Sequence, residues 1–341
     1  MTTLSTLGQN DFLRYEFASL QDHIQQLQTQ VGTGERAQRY GDLGAEAPVD
    51  IGLRNQATIL DNYKTSINQL TLRTSMIDKS LVIINDTATA VQNQAFQSPS
   101  FPAQRQNLVA AAKAAIDQIT QQLRASVDGR NLFGGTQTQV NPIVATATLL
   151  PTVQAAVAAA IAGAPPNVPA AIQAAVSGGA GVMATAASYY VGGPAHAPTQ
   201  VDPNLSVDYS IIGGDPAFLT ILQGLYTIAS LPQPVGSVAA PPNLSDSQFD
   251  ATATAAATTI AQGLAQMQTL TVKNGRNEML LQQQSDAHAV TLTVLQGQIN
   301  NIESVDIADA TTRLTQYRTQ LDASYRITAS LSSLNLVDFL K

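Results

Sequence analysis

LRYEFASLQDHIQQLQTQV, residues 13–31, decides the fold. Leu13, Phe17, Leu20, Ile24, Leu27 and Val31 recur in alternating steps of four and three, which draws a heptad seam along one side of a helix. A helix with a single apolar stripe has no core of its own, so its stability has to come from a partner stripe. Gly32 and Gly34 end the pattern.

The best partner for that stripe lies at the far end of the chain. Ile307, Ala310, Leu314, Tyr317 and Leu321, then Leu331 and Leu334, repeat the same spacing after a slip of phase near SVDIADA, residues 304–310. Such a slip is expected to unwind a coiled coil locally without breaking it. The last residues, SLNLVDFLK, add Leu336, Val337, Phe339 and Leu340. Burying a Leu or Phe side chain is worth about 1.5–3 kcal/mol, so these groups call for a cover, either the protein's own N-terminal helix or another copy. The candidate assembly interface is therefore Leu13, Phe17, Leu20, Ile24, Leu27 and Val31 at one end. Leu314, Tyr317, Leu321, Leu331, Leu334, Leu336, Phe339 and Leu340 complete it at the other.

Between the ends, residues 35–55 break the helical period with glycines and Pro48 and read as an ordered linker or loop. A long stripe follows through Ile59, Tyr63, Ile67, Leu70, Thr74, Ile77, Leu81, Ile84, Ala88 and Val91, and SPSFP at 98–102 should stop it. Leu108, Ala112, Ala115, Ile119 and Leu123 make a second stripe, expected to return antiparallel beside the first. DGRNLFGGT, residues 128–136, then closes the helical region. Asp128-Gly129 is a turn signal, Leu132 and Phe133 can plug back into a bundle, and Gly134-Gly135 gives the chain freedom to leave it.

Composition changes at residue 136. The heptads stop, Ala, Gly, Pro, Thr and Val take over, and VDYSII (207–212) looks like a strand. The Ala-rich stretch 153–187 suggests short helices packed through small side chains. Helical pattern resumes with Asp215 as N-cap and Pro216 at the first helical position, followed by Phe218, Leu222, Leu225 and Ile228. A second cap at Ser245 opens a run through Phe249, Ile260, Leu264, Met267, Leu270, Leu292, Leu295, Ile299 and Ile302. The expected fold is mainly α: a long antiparallel helical coiled-coil or bundle rod formed by the N- and C-terminal segments, with an inserted α+β or β-rich middle domain. Its expected divisions are residues 1–35, 36–135, 136–208, 209–300 and 301–341.

Composition removes several functional classes. The 341 residues carry 17 basic and 24 acidic side chains, a net charge of −7, which leaves no basic field to hold a phosphate backbone. Only 12% of residues are charged, so Gln, Thr, Ser, Asn and Ala must cover much of the exterior, a surface suited to packing against copies of itself. There is no cysteine, hence no thiolate chemistry. MTTLSTLGQNDFLRYEF lacks the basic flank and apolar core of a Sec signal peptide. The longest apolar stretch, VQAAVAAAIAGA (153–164), is shorter than the roughly 20 residues of a membrane span, so no membrane insertion is expected.

Catalytic chemistry is equally hard to find. His23 and His288 read as helix-surface residues and His196 as part of a Gly/Pro/Ala loop, each without a second ligand at metal-binding spacing. GGAGVMA (178–184) follows no clear strand and reads as a flexible turn. Asp306 and Asp309 share a helical face, but Arg313, four residues beyond Asp309, offers an ordinary surface partner. The expectation is a protein with no catalytic residues, no cofactor and no metal.

The pattern at both ends resembles the flagellin superfamily, and within it the hook-filament junction proteins, the hook-associated protein 3 group. STLGQNDFLRYEFASLQDHIQQLQTQVGTGERA (5–37) is similar to that family's Ser-Thr start and Leu-Gln-rich helix, DGRNLFGGT (128–136) to its exit from the helical domain, and GGDPAFLTILQGL (213–225) to its re-entry. IADATTRLTQYRTQLDASYRITASLSSLNLVDFL (307–340) resembles the junction proteins' Leu-x-Leu-x-Asp-aromatic-Leu ending. YGDLGAEAPVDIG stands where the family often carries an acidic Pro-containing segment, and residues 137–208 are unaccounted for.

The resemblance implies a structural protein of the bacterial flagellum, an adaptor at the hook-filament junction. Its residues 1–35 and 301–341 would form the coiled coil of an inner tube, residues 36–135 and 209–300 the rod, and residues 136–208 the outer insertion. It further implies self-assembly, neighbouring hook-associated protein and flagellin as partners, an export chaperone on the C-terminal helix, and an extracellular place reached by type III export without a cleaved signal peptide. The alternative is a flagellin forming the filament itself. A third possibility makes the insertion a surface binder of glycans or receptors.

Overall fold

The computed structural model describes residues 3–97, 102–163, 165–232 and 244–339, with side chains described for 11–97, 103–163, 165–232 and 244–330. The fold is mainly α, as expected. The helices are α1 (Thr3–Thr33), α2 (Ala47–Phe96), α3 (Pro102–Leu123), α4 (Thr146–Ala162), α5 (Val168–Ser177), α6 (Pro216–Ala229), α7 (Asp246–Glu303) and α8 (Ile307–Phe339). Two small antiparallel hairpins accompany them: β1 (Ser126–Val127) with β2 (Arg130–Asn131), and β3 (Thr199–Asp202) with β4 (Leu205–Val207). No helix among the described residues is long and apolar enough to cross a membrane. The chain divides into two compact units, one of residues 1–62 and 288–341, the other of residues 63–287.

In the 63–287 unit one continuous core gathers Ile77, Leu81, Ile84, Ala88 and Val91 of α2, Leu108, Ile116, Ile119 and Leu123 of α3, and Phe218, Ile221 and Leu225 of α6. Ala253, Ala257 and Ile260 of α7 close it. The α2 and α3 stripes read from the sequence are thus core-facing. The Asp128-Gly129 signal is a two-residue hairpin turn with both residues left-handed, φ 51° and 72°, which matches the twist of the flanking strands. Phe133, fully buried, meets the edge of Phe218 at 5.9 Å and anchors the chain just after the hairpin. Gly135 (φ 58°) has no room for a side chain, because a Cβ there would lie 2.3 Å from the carbonyl oxygens of Gly193 and Pro194.

Residues 143–190 share this core, and the β3–β4 hairpin packs in a second, smaller cluster where Val201, Val207 and Tyr209 meet Ile67, Leu70 and Leu281. Leu149, Val153, Val157 and Ile161 of α4 and Val168, Ile172 and Val176 of α5 are buried in steps of four. The packing therefore runs through a branched stripe, with the alanines at its flanks, and not through the small side chains expected for 153–187. Of the two alternatives for the middle segment, the structure has α+β, two helices with one hairpin. VDYSII is strand only at Val207, since Asp208 turns the chain by accepting from the Ser210 amide at 3.1 Å. GGAGVMA is an ordered turn and not a flexible one: the amides of Val182 and Met183 donate to Ala175 and Val176 at 3.0 and 2.8 Å, and Met183 is buried.

Several boundaries also differ from the expectation. The linker 35–55 ends early, because α2 starts at Ala47. Pro48 sits in the first turn, where its missing N–H is harmless, and the cost of Gly52, about 1 kcal/mol, is small beside a 50-residue helix. Residues 98–101, most of the SPSFP stop, lie outside the described residues. Asp215 stands at the N-cap of α6, but its Oδ2 accepts from the Ile212 amide at 2.9 Å instead of capping the helix. Ser245 does cap α7: its Oγ accepts from the Gln248 amide and Gln248 Oε1 from the Ser245 amide, a reciprocal capping box. His288, expected on a surface, is buried.

Helices α6 and α7 meet through glycines. A Cβ on Gly224 would lie 2.5 Å from Ile260 Cγ1 and 2.8 Å from the Ala256 carbonyl, and one on Gly263 would lie 2.7 Å from the Ile221 amide. Gly275, also in α7, has no atom near its Cβ position. Gly224→Ala and Gly263→Ala should each destabilise the protein by about 1–3 kcal/mol through overpacking. Gly275→Ala should stabilise it by about 0.5–1 kcal/mol. Urea unfolding of the three variants checks the opposite signs.

Candidate assembly interface

The terminal helices pair with each other inside the 1–62/288–341 unit. Phe17 lies 5.1 Å from Tyr325, His23 stacks on Tyr317 at 5.3 Å, and Glu35 bridges Ser304. The partner's number falls as the α1 number rises, so α1 and α8 run antiparallel. Gln21 Nε2 donates to the Tyr325 hydroxyl at 3.1 Å.

The seam is only partly covered by this pairing. On α1, Leu20 is buried, whereas Leu13, Phe17, Ile24, Leu27 and Val31 stay half-buried. On α8, Ala310 and Leu314 are buried, and Tyr317 and Leu321 are half-buried. Leu331, Leu334, Leu336 and Phe339 belong to α8 by backbone, with side chains outside the described residues, and Leu340 lies outside them entirely. Tyr325 is the seam residue that the spacing analysis passed over, although it falls four residues after Leu321. Outside the seam, Phe12 and Tyr15 on α1 and Ile327 on α8 are exposed, and Ile307, read as the first position of the α8 stripe, is exposed as well.

A second face of α8 is uncharged and small. Ile307, Ala308, Thr311, Thr312, Thr315, Gln316, Thr319, Gln320 and Ala323 share this exposed face. The hydroxyls of Thr311, Thr312, Thr315 and Thr319 each donate to the carbonyl four residues earlier, at 2.7–2.9 Å. With their donors used inside the helix, these threonines present little unmet polarity to a neighbour. Asp309 is paired with Arg313 at 2.8 Å, as the spacing suggested.

Where the sequence suggested a continuous coiled coil with a phase slip, the chain breaks at residues 304–306. Val305 N donates to the Gly34 carbonyl at 3.0 Å and Arg36 N to the Glu303 carbonyl at 2.6 Å, so the end of α1 and the end of α7 are laced by backbone. Asp306 starts α8, its Oδ1 accepting from the amides of Ala308 and Asp309 at 2.9 and 3.2 Å. It is a helix cap and not a solvating surface charge. Beside it Arg54 of α2 holds Glu303 with both nitrogens, Nε at 2.9 Å and Nη2 at 2.6 Å to the two oxygens, and Asp50 Oδ2 accepts from Arg54 Nε at 3.3 Å. Arg36 pairs with Glu46 at 2.6 Å.

Asp50 has no accessible side-chain surface, and its carboxyl is pushed above the ordinary value of 3.8, first by desolvation and then by the Glu303 carboxylate beside it, against the pull of Arg54. The three histidines stand apart from one another in separate surroundings: His23 on Tyr317, His196 stacked on Tyr209 at 5.9 Å, and His288 buried in α7. Among the described residues no group of three or more His, Cys, Asp or Glu side chains could hold a metal ion.

The terminal helices thus pair along a seam that is only partly buried, beside an uncharged face of α8. Residues 5–138 match the family model described as the bacterial flagellin N-terminal helical region. The fold is similar to that of a protein from Vibrio parahaemolyticus designated a flagellar hook-associated protein, with a TM-score of 0.51 and 13% identity over 76% of this chain and 97% of that one. No curated protein matches the chain.

The sign of the Asp50 effect on stability follows from its proton affinity. A carboxyl that binds its proton more tightly when folded favours folding below its unfolded value, and that contribution is lost as pH rises through the raised folded value. Asp50→Asn should therefore melt above the parent protein at pH 7, with the difference closing as pH falls toward 4. Thermal unfolding followed by circular dichroism across that range checks it.

Proposed function

We propose that this chain is a structural adaptor at the hook-filament junction, assembling with copies of itself through its terminal helices. The observation that carries this reading is the half-buried state of the α1–α8 seam: five of its six α1 positions keep accessible apolar surface after the two helices have paired. A helix pair offers each stripe one neighbour, and the remaining apolar area is stabilised only by further helices. Sister molecules supply them, with the threonine face of α8 as the flank that admits close approach.

In this reading the residues Leu13, Phe17, Leu20, Ile24, Leu27 and Val31, with Leu314, Tyr317, Leu321, Leu331, Leu334, Leu336, Phe339 and Leu340, form the assembly interface. Residues 1–35 and 301–341 make the inward coiled coil, residues 36–135 and 209–300 the rod, and residues 136–208 face outward. The partners are a neighbouring hook-associated protein on one side and flagellin on the other. A chaperone covers the C-terminal helix before type III export, and the assembled protein is extracellular. The protein has no enzymatic part in this scheme.

Immunogold labelling should mark a single band at the proximal end of each filament; label along whole filaments would make the chain a filament flagellin instead. Thr315→Arg places a long cation on the free face of α8 without touching the seam. It should leave the helical content of the monomer unchanged and abolish the labelled band, and normal incorporation of this variant would remove the threonine face from the interface.

A further inference from the structure

A separate feature of the 63–287 unit is a cleft of about 480 Å³ between α2, the β1–β2 hairpin, β3 and Tyr209. Arg73 and Arg130 both line it, and neither has a carboxylate within ion-pair distance among the described residues. Arg73 is half-buried and its Nη1 donates to the Tyr209 hydroxyl at 3.4 Å, a long bond that steadies the guanidinium without neutralising it. Arg130 stands exposed on the hairpin, next to the rigid Asp128-Gly129 turn. Asp128 is the one carboxylate in the lining, so the cleft carries net positive charge on a chain of net charge −7.

His196, stacked on Tyr209, reports the same field: burial lowers its proton affinity, and Arg73 and Arg130 lower it further, so the ring is neutral at neutral pH. The rest of the lining is mixed. Leu72 and Val127 are apolar, while Gln69 and Thr199 offer hydrogen-bonding groups at the rim. The volume falls within the range of small-molecule sites, roughly 300–1,000 Å³.

The geometry points to a binding site for a sugar acid, a carboxylated monosaccharide either free or at the end of a glycan. Two guanidinium groups match a carboxylate, because each presents a planar fork of donors. The amide and hydroxyl at the rim match a ring's hydroxyls, and the Leu72 and Val127 walls match its C–H faces. A purely apolar ligand would leave both arginines desolvated without a partner, and a neutral sugar would leave them unused.

Titration of the full chain with glucuronate, followed by NMR, tests the site, with glucose, inorganic phosphate and a glucuronate-terminated oligosaccharide as parallel arms. Glucuronate is expected to shift signals of Arg73, Arg130 and Thr199 with at least tenfold tighter binding than glucose or phosphate. Arg130→Gln, an exposed change that leaves the core untouched, should weaken it at least tenfold, and Arg73→Gln should do the same. Tighter binding of the oligosaccharide identifies a glycan end as the source, and equal binding a free sugar acid. Glucose binding as well as glucuronate, phosphate binding as well as glucuronate, no binding at all, or undiminished binding in Arg130→Gln overturns the site.

Discussion

Two helices that lie side by side can cover only one stripe of each other, and this limit governs the terminal unit. The α1 and α8 stripes find each other in antiparallel register, yet only Leu20, Ala310 and Leu314 among their described positions become buried. The aromatic pairs Phe17–Tyr325 and His23–Tyr317 fix the register of the pairing more than they remove surface from water. What remains uncovered is apolar seam on α1 and an uncharged face of threonines on α8.

The break between α7 and α8 is held from three sides. Backbone groups of residues 34–36 close on residues 303–305, Asp306 caps the new helix, and Arg54 grips Glu303 with Asp50 buried alongside. Two carboxylates around one guanidinium is a costly arrangement when one of them has lost its water. Its use at the point where α8 starts ties the direction of that helix to the first turns of α2, so the position of the seam depends on a charge cluster as well as on apolar contact.

The larger unit obeys different physics. Its main core has branched residues every fourth position on α4 and α5 and glycine-mediated approach of α6 to α7, with a smaller cluster under the β3–β4 hairpin. On its surface Arg73, Arg130 and Tyr209 converge on one cleft from α2, the first hairpin and the segment after β4.

Periodic and local features were readable from the chain alone. Heptads at 13–31 and 307–321 revealed the stripes, Asp128-Gly129 a turn, and Ser245 the start of α7, because each depends on residues within one or two turns of each other. Spacing also gave most of the seam, missing Tyr325 where the stripe passes through a polar-tipped aromatic. Tertiary structure alone decided which charges are buried. Asp50 looks like any surface aspartate until residues about 250 positions apart, Arg54 and Glu303, are brought into contact. The same holds for Arg73 and Arg130, whose shared cleft exists only after the hairpin folds back on α2. Short-range periodicity is written into the order of the residues, whereas desolvation and Coulomb energy depend on distances in space that the order does not specify.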